Sequence, residues 1–290
     1  MVSQMPKVNP ELMLMDSATK NDLESAMLAV SLGAKGHYWI DEKCAIHEAA
    51  EIGSAKVLEY LMSSNVFEAD HTGPEGRTAL QFASRAGQTE CAKILIEHGA
   101  NVNKMSDHGD LALHLAICNN ESEVAQILIE HGADVNMLDG AKHSPVVTAI
   151  LWGSSESLRI LVQNAVDMSR EDEKKRTPLL AAAFYGEVEM IGIMLDAGAQ
   201  VNQTNSNGRS ALHMAASNDK PHCVELLIRN GADFNIKDKR GMTAKELAIK
   251  KNSHDALRIL STVQANADLL IAMNEVTPTR TGEPTRRFSL

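Results

Sequence analysis

The sequence predicts an all-α protein made of repeated helix-turn-helix units joined by hairpin loops, because two sets of similar residues recur with one period. The first set is a short pattern that recurs at constant spacing from Thr78 through Leu111 to Thr243, with a related segment about one step earlier at Cys44. The second set is a glycine that follows the first residue of this pattern at a fixed distance, as Gly99 follows Thr78. Hydrophobic residues make up 44% of the chain and aromatic residues only 3%, which suits thin layers of Ala and Leu. The starts are Thr78, Leu111, Ser144, Thr177, Ser210 and Thr243, and the matching glycines are Gly99, Gly132, Gly198 and Gly231.

Each unit is predicted to begin with a short, capped helix. A Thr or Ser at the start can accept hydrogen bonds from the free amides of the first turn. Pro145 and Pro178 follow at the first helical position, where a proline loses no hydrogen bond. Leu80 and Ala83 have the spacing of residues that share one face of this helix.

A second helix and a hairpin are predicted to complete the unit. Cys91, Ile94 and Leu95 have the spacing of an apolar helical face. The glycine of the second set falls just past this helix, where a residue in the left-handed conformation ends it. The hairpin that follows turns at another recurring glycine. These turn glycines are Gly76, Gly109, Gly208 and Gly241.

These residues resemble the ankyrin repeat, and the resemblance covers roughly residues 44 to 260. It implies an ankyrin-repeat solenoid of about seven repeats, preceded by a degenerate N-terminal unit in which residues 23–34 look like a second helix. We expect four segments: an N-terminal segment with a degenerate capping repeat (1–36), the ankyrin-repeat domain (37–260), a stretch that could extend the last helix (261–275) and a disordered tail (276–290).

The resemblance implies a non-catalytic protein-interaction module, an adaptor or scaffold that binds its partner on a concave face formed by the inner helices and hairpin tips. The alternative is a regulatory inhibitor that masks a basic segment of a transcription factor or an enzyme. We find no motif for nucleotide binding, zinc hydrolysis or a nucleophilic serine, so we expect no enzyme activity, no catalytic residues and no cofactor. His47, His114 and His213 share one repeat position, and in ankyrin repeats that histidine ties neighbouring loops together, so we expect no metal site.

The fourth and fifth repeats depart from the pattern. Ala165 replaces the glycine that ends the second helix, and Lys142 and Lys175 replace the turn glycines on either side. If Ala165 keeps the left-handed conformation, it costs on the order of 1 kcal/mol. We therefore expect the stack to open most easily around residues 164–176.

The same repeats carry an unusual group of apolar side chains. In ankyrin repeats, the residues seven and eight places after the threonine position end the inner helix and face the concave side. Here two adjacent repeats place three of the chain's ten aromatic residues at those positions, beside a charged hairpin. Aromatic anchors ringed by charge are typical of binding hot spots, although the rings could instead pack on each other and on the next loop. The predicted partner-binding residues are Leu151, Trp152, Phe184, Tyr185, His143, Lys174 and Arg176.

The distribution of charge suggests what kind of partner binds. Residues 1–203 contain 15 Lys and Arg against 29 Asp and Glu, and residues 204–260 contain 10 against 6. A protein partner with a basic segment over the early repeats would fit this pattern. The net charge of −10 disfavours nucleic acid, and no apolar run of about 18 residues predicts membrane insertion. We expect a monomer in the cytoplasm, with the nucleus as an alternative, because the N-terminus lacks the pattern of a signal peptide.

The C-terminal tail contains one candidate modification site. Arg286 and Arg287 precede Ser289 by three and two residues, a spacing that basophilic kinases favour, and Phe288 and Leu290 fit an end captured by some PDZ domains. The alternative is a featureless end with a chance match, since short motifs recur by accident.

Overall fold

The computed structural model describes residues 9–36, 38–40, 43–73 and 75–276, with side chains described up to residue 265. The chain forms two compact units, Met1–Gln200 and Val201–Leu290. The candidate phosphorylation site at Ser289 and the residues beyond Val276 lie outside the described part.

The first unit contains six helix pairs over its described residues. Its N-terminal pair is followed by repeats 1 to 5, which confirms the predicted alternation of two short helices and a hairpin. The helices are α1 Pro10–Lys20, α2 Leu23–Ser31, α3 Ala45–Ile52, α4 Ala55–Ser63, α5 Ala79–Arg85, α6 Thr89–Glu97, α7 Ala112–Cys118, α8 Ser122–Glu130, α9 Pro145–Trp152, α10 Ser155–Gln163, α11 Pro178–Tyr185 and α12 Val188–Asp196.

The second unit contains repeats 6 and 7. Its last helix is much longer than the others and runs well past residue 260. The helices are α13 Ala211–Ser217, α14 Pro221–Arg229, α15 Ala244–Lys251 and α16 His254–Val276.

The helices of the first unit pack in two layers. First helices of successive repeats pack on one another, and so do second helices, while each pair also packs internally. The predicted core positions, such as Leu80, Ala83, Cys91 and Leu95, are buried. Because each repeat covers the apolar face of its neighbour, no single repeat could bury its own core alone.

Thr78, Ser144 and Thr243 cap their helices as the sequence predicts. Thr78 Oγ1 accepts from the amide of Gln81 at 3.3 Å, and Gln81 Oε1 accepts in return from the amide of Thr78 at 3.0 Å. Ser144 makes the same kind of cap for α9. Thr177 does not cap α11, and its buried hydroxyl has no hydrogen-bond partner among the described residues.

The repeat histidines link neighbouring repeats through hydrogen bonds. His114 Nε2 lies 3.0 Å from the carbonyl oxygen of His143 on the next hairpin. His47 and His213 make equivalent contacts, at 3.2 and 3.1 Å. Burial lowers the pKa of all three side chains, to about 4 in His47, so these histidines are neutral at pH 7.

The three departures from the glycine pattern keep the backbone conformation of a glycine. Ala165, Lys142 and Lys175 have φ angles of 58°, 62° and 60°. Residues with a Cβ pay a steric cost in this region. The stretch from Lys142 to Lys175 therefore contains three strained positions, which lie on the hairpins of repeats 4 and 5 and just past α10.

Candidate partner-binding groove

Glycines allow the hairpin tips of the earlier repeats to touch. A Cβ added to Gly109 would lie 2.2 Å from the Cα of Gly140 on the next hairpin, which no real side chain tolerates. At this close approach the amide of Gly140 donates to the carbonyl of Gly109 at 2.9 Å. The amide of Asp107 makes a similar bond to Glu75 between the hairpins of repeats 2 and 3.

The hairpins of repeats 4 and 5 lack such a backbone hydrogen bond. Lys142 occupies the position of Gly109, and its Cβ prevents the next hairpin from approaching as closely. The two tips are joined instead by an exposed ion pair, with Lys142 Nζ 3.3 Å from Glu173 Oε1. A lysine in place of a glycine thus separates the two hairpins.

Beside these tips lies a recess of about 260 Å³, which we call the downstream recess. It lies between the two hairpin tips and the C-terminal ends of α9 and α11. Its lining residues are Ala141, Lys142, His143, Leu151, Asp172, Glu173, Lys174, Arg176 and Tyr185.

Arg176 supports the two aromatic rings at one wall of this recess. Its guanidinium carbon lies 5.1 Å from the ring centre of Phe184 and 5.2 Å from that of Tyr185. Its Nη2 lies 2.6 Å from Asp172 Oδ2, and the residue is only 6% exposed. Although the sequence predicts Arg176 as a direct partner contact, the structure places most of its side chain beneath the rings, where it holds them.

The four predicted apolar residues divide into two kinds. Phe184 and Tyr185 are half-buried and pack edge to face, with ring centres 5.1 Å apart. Leu151 and Trp152, which end α9, are 37% and 65% exposed. Packing of rings on each other therefore accounts for the α11 pair, whereas the α9 pair presents its apolar surface to solvent.

A second recess of about 190 Å³ lies between the hairpins of repeats 3 and 4, and we call it the upstream recess. Trp152 and His143 are among its lining residues, and His143 also lines the downstream recess. It contains two carboxylates, Asp110 and Asp139. Asp110 is paired with Arg77, whose Nε lies 3.0 Å from Asp110 Oδ2. The two recesses and the exposed end of α9 form one surface, the candidate groove.

The comparisons identify the family. A family model described as ankyrin repeats, in three copies, matches residues 46–139, 137–205 and 194–271. The chain belongs to the ankyrin-repeat family. Ankyrin repeats are generally protein–protein interaction modules, and the family is typically non-enzymatic.

Individual similar proteins cover different amounts of the chain. The solved structure of the human ASB11 ankyrin repeat domain is 29% identical, with a TM-score of 0.64, over 74% of this chain and 96% of that one. BCL-6 corepressor-like protein 1 from mouse and from human is 36% identical over 64 residues. That segment is 22% of this chain and 4% of the corepressor-like proteins, so the likeness extends to a small part of their length.

A second exposed apolar surface lies ahead of the first ankyrin repeat, and the sequence reasoning missed it. Leu12 and Ile40 line a recess of about 260 Å³, and the neighbouring Trp39 is 37% exposed. Trp39 precedes the repeat pattern, which begins at Cys44, so the pattern assigns it no position. The ring of Trp39 also packs against that of His47 in a tilted arrangement, with ring centres 5.6 Å apart, so part of its surface is used in packing.

Three kinds of feature would suit the described part of the ankyrin chain to other functions: metal-ligand clusters, membrane-spanning helices and reactive thiols. No three His, Cys, Asp or Glu side chains there come together as metal ligands. None of the described helices is long and apolar enough to cross a membrane. Burial raises the pKa of the Cys44 thiol to about 11 and that of Cys91 to about 12, which disfavours the reactive thiolate.

Proposed function

We propose that the protein is a non-catalytic adaptor or scaffold that binds a protein partner in the groove around Trp152. The observation that carries this proposal is the exposure of Trp152 and Leu151 beside a recess between separated hairpins. An exposed apolar patch rimmed by charged groups is typical of an interaction site. The compartment we propose is the cytoplasm, with the nucleus as the alternative, and the protein acts as a monomer.

The groove has the physical features of a binding hot spot. Trp152 has most of its surface free to be buried by a partner, and tryptophan is among the residues most enriched at such centres. Tyr185 is held by Phe184 and by the guanidinium of Arg176, so little conformational entropy would be lost when a partner packs against it. Truncating one such anchor is expected to cost about 2 kcal/mol or more of binding free energy.

The alternative function is regulatory inhibition, and the uneven charge favours it. The 15 basic and 29 acidic residues of 1–203 give this region a charge near −14, which attracts a basic segment. An inhibitor would cover that segment and block its use. An adaptor would leave its partner active and bring a third protein to it.

Affinity capture with paired variants tests the site. Wild-type protein, a Trp152→Ala and Tyr185→Ala double variant, and a Trp39→Ala control are each used to recover partners, and the dissociation constant of each partner is then measured by calorimetry. We expect the double variant to weaken binding at least thirtyfold while its melting temperature stays close to wild type. Trp39→Ala should bind as wild type does.

Two outcomes would place the binding site elsewhere. Unchanged affinity of the double variant for every recovered partner would exclude the groove. Loss of binding in Trp39→Ala alone would assign the partner to the N-terminal surface. Once a partner is known, its activity in the complex separates an inhibitor from an adaptor.

A further inference from the structure

The downstream recess contains more hydrogen-bond donors than acceptors with free capacity. Its two carboxylates are already engaged. Asp172 Oδ1 accepts from the amides of Lys174 and Arg176 at 2.8 and 2.9 Å, and Oδ2 accepts from Arg176 Nε and Nη2 at 2.8 and 2.6 Å. Glu173 is paired with Lys142. These contacts use the four lone pairs of Asp172 and neutralise the charge of Glu173.

Two cationic side chains of the same recess keep donor groups that no acceptor among the described residues uses. The exposed ammonium of Lys174 has no acidic partner in the described part of the chain. Nη1 of Arg176 is buried without a hydrogen-bond acceptor among the described residues, an arrangement that costs about 1–3 kcal/mol. With His143 at the rim, the exposed ammonium of Lys174 is the donor that this wall offers to an incoming acceptor.

The remaining wall of the recess is apolar. Leu151 and Ala141 line it together with the Tyr185 ring, and Trp152 stands exposed at the end of the same helix. A bare inorganic anion would leave this surface uncovered. A nucleic acid would be repelled by the charge near −14 of residues 1–203. A peptide with one carboxylate next to an apolar side chain satisfies both walls.

On the basis of the proposed partner-binding function, we propose that the downstream recess receives an Asp or Glu side chain of the partner. The carboxylate pairs with the exposed ammonium of Lys174, and the adjoining apolar residue of the partner packs on Leu151 and Trp152. The groove therefore selects an acidic residue locally, although the surrounding half of the chain is acidic. Because the recess requires an acidic residue, the groove would exclude partner segments that contain only basic charges.

Selection from a random peptide library tests the proposal without a known partner. Phage-displayed dodecapeptides are selected on the full chain, and the recovered peptides are then measured against Trp152→Ala, Lys174→Glu and Arg240→Glu. Arg240 is the matched control, because it is an exposed cation at the equivalent place on the hairpin of repeat 7, with its amide bonded to Asp238 as that of Lys174 is to Asp172. Circular dichroism and thermal melting verify that each variant folds.

We expect the peptides that depend on Trp152 to be enriched in an Asp or Glu next to an apolar residue. Their affinity should fall at least tenfold on Lys174→Glu and change less than twofold on Arg240→Glu. Replacing the peptide's acidic residue with lysine should restore binding to Lys174→Glu.

The contrary outcomes separate the two levels of the argument. Peptides that depend on Trp152 but show no acidic enrichment, or that bind Lys174→Glu normally, would overturn the carboxylate recess and leave the proposed function standing. Failure to recover any Trp152-dependent peptide would count against both.

Discussion

The side-chain amide of Asn103 donates a hydrogen bond to the carbonyl oxygen of Gly132 at 2.9 Å and so joins repeat 2 to repeat 3. Its Oδ1 accepts from the amide of Asp134 at 2.8 Å. One repeat later, Asn136 Oδ1 accepts from the amide of Asp167 at 2.7 Å, but the described contacts include no bond from its Nδ2 to the carbonyl of Ala165. The φ angle is 90° at Gly132 and 58° at Ala165.

Replacing Ala165 with glycine should therefore stabilise the protein. Glycine relieves the steric cost of the left-handed conformation, on the order of 1 kcal/mol, and permits the φ angle at which the Asn136 amide can reach the carbonyl. We expect Ala165→Gly to raise the free energy of unfolding by about 1 kcal/mol in urea denaturation. Gly132→Ala, the matched control, should lower it by a similar amount. A less stable Ala165→Gly protein would show that the strain is not relieved.

Local opening should be easiest across residues 164–176. The amide of Val166 lies 3.3 Å from the carbonyl of Leu161, whereas the equivalent bond from Ala133 to Leu128 is 2.9 Å. The hairpin beyond Val166 also lacks the backbone bond that holds its predecessor. Weak joints in a repeat stack open as separate events. We expect hydrogen exchange at Val166 to be at least tenfold faster than at Ala133, and equal protection of the two amides would contradict this.

These two predictions start from departures that the sequence itself reveals. The constant repeat period predicts the helix pairs because apolar spacing and closing glycines are local properties. The repeat period did not predict helix α1, because the residues of α1 do not follow that period. Its start is nonetheless marked by Asn9, which accepts from the amide of Glu11, and by Pro10 at the first position.

The detailed geometry of the groove depends on tertiary contacts that no local pattern encodes. The charged hairpin sequence predicts that Arg176 is exposed, but in the structure it packs under two aromatic rings from the following helix. The recess beside it is lined by Lys142, whose ammonium pairs with Glu173 across the two hairpin tips. The sequence predicts Leu151, Trp152, Phe184 and Tyr185 as one binding group, but it could not distinguish the exposed pair on α9 from the packed pair on α11.

Acid should destabilise the protein through His47. The amide of Cys44 can only donate, so His47 Nδ1 accepts and its proton lies on Nε2, facing the carbonyl of His71. Burial lowers the folded-state pKa of His47 to about 4, against about 6.5 when unfolded. The unfolded state therefore binds more protons, and stability present above pH 6.5 is lost as the pH falls toward 4.

A glutamine substitution isolates this effect, because Gln81 occupies the equivalent position in repeat 2. It bonds to the amide of Thr78 and to the carbonyls of Lys104 and Asp110 without titrating. Between pH 7 and pH 5, we expect wild type to lose about 2 kcal/mol more unfolding free energy than His47→Gln does. The measurement is urea denaturation at both pH values. Identical pH dependence of the two proteins would mean that His47 does not titrate in this way.

Removing the guanidinium of Arg176 should damage both stability and binding. Asp172 and Arg176 form an ion pair whose side chains are 9% and 7% exposed, and breaking a buried pair leaves an uncompensated charge. We expect Arg176→Ala to lower the free energy of unfolding by about 3 kcal/mol, and Arg176→Lys, which keeps the charge but not the planar stack, to lower it by less. A double-mutant cycle with Asp172→Asn measures the coupling of the pair.

In Arg176→Lys, which should remain folded, the ring of Tyr185 loses its planar support, so partner affinity should fall while Lys174 remains available. A loss below about 1 kcal/mol in Arg176→Ala, or full partner affinity in Arg176→Lys, would show that the rings hold their positions without the guanidinium.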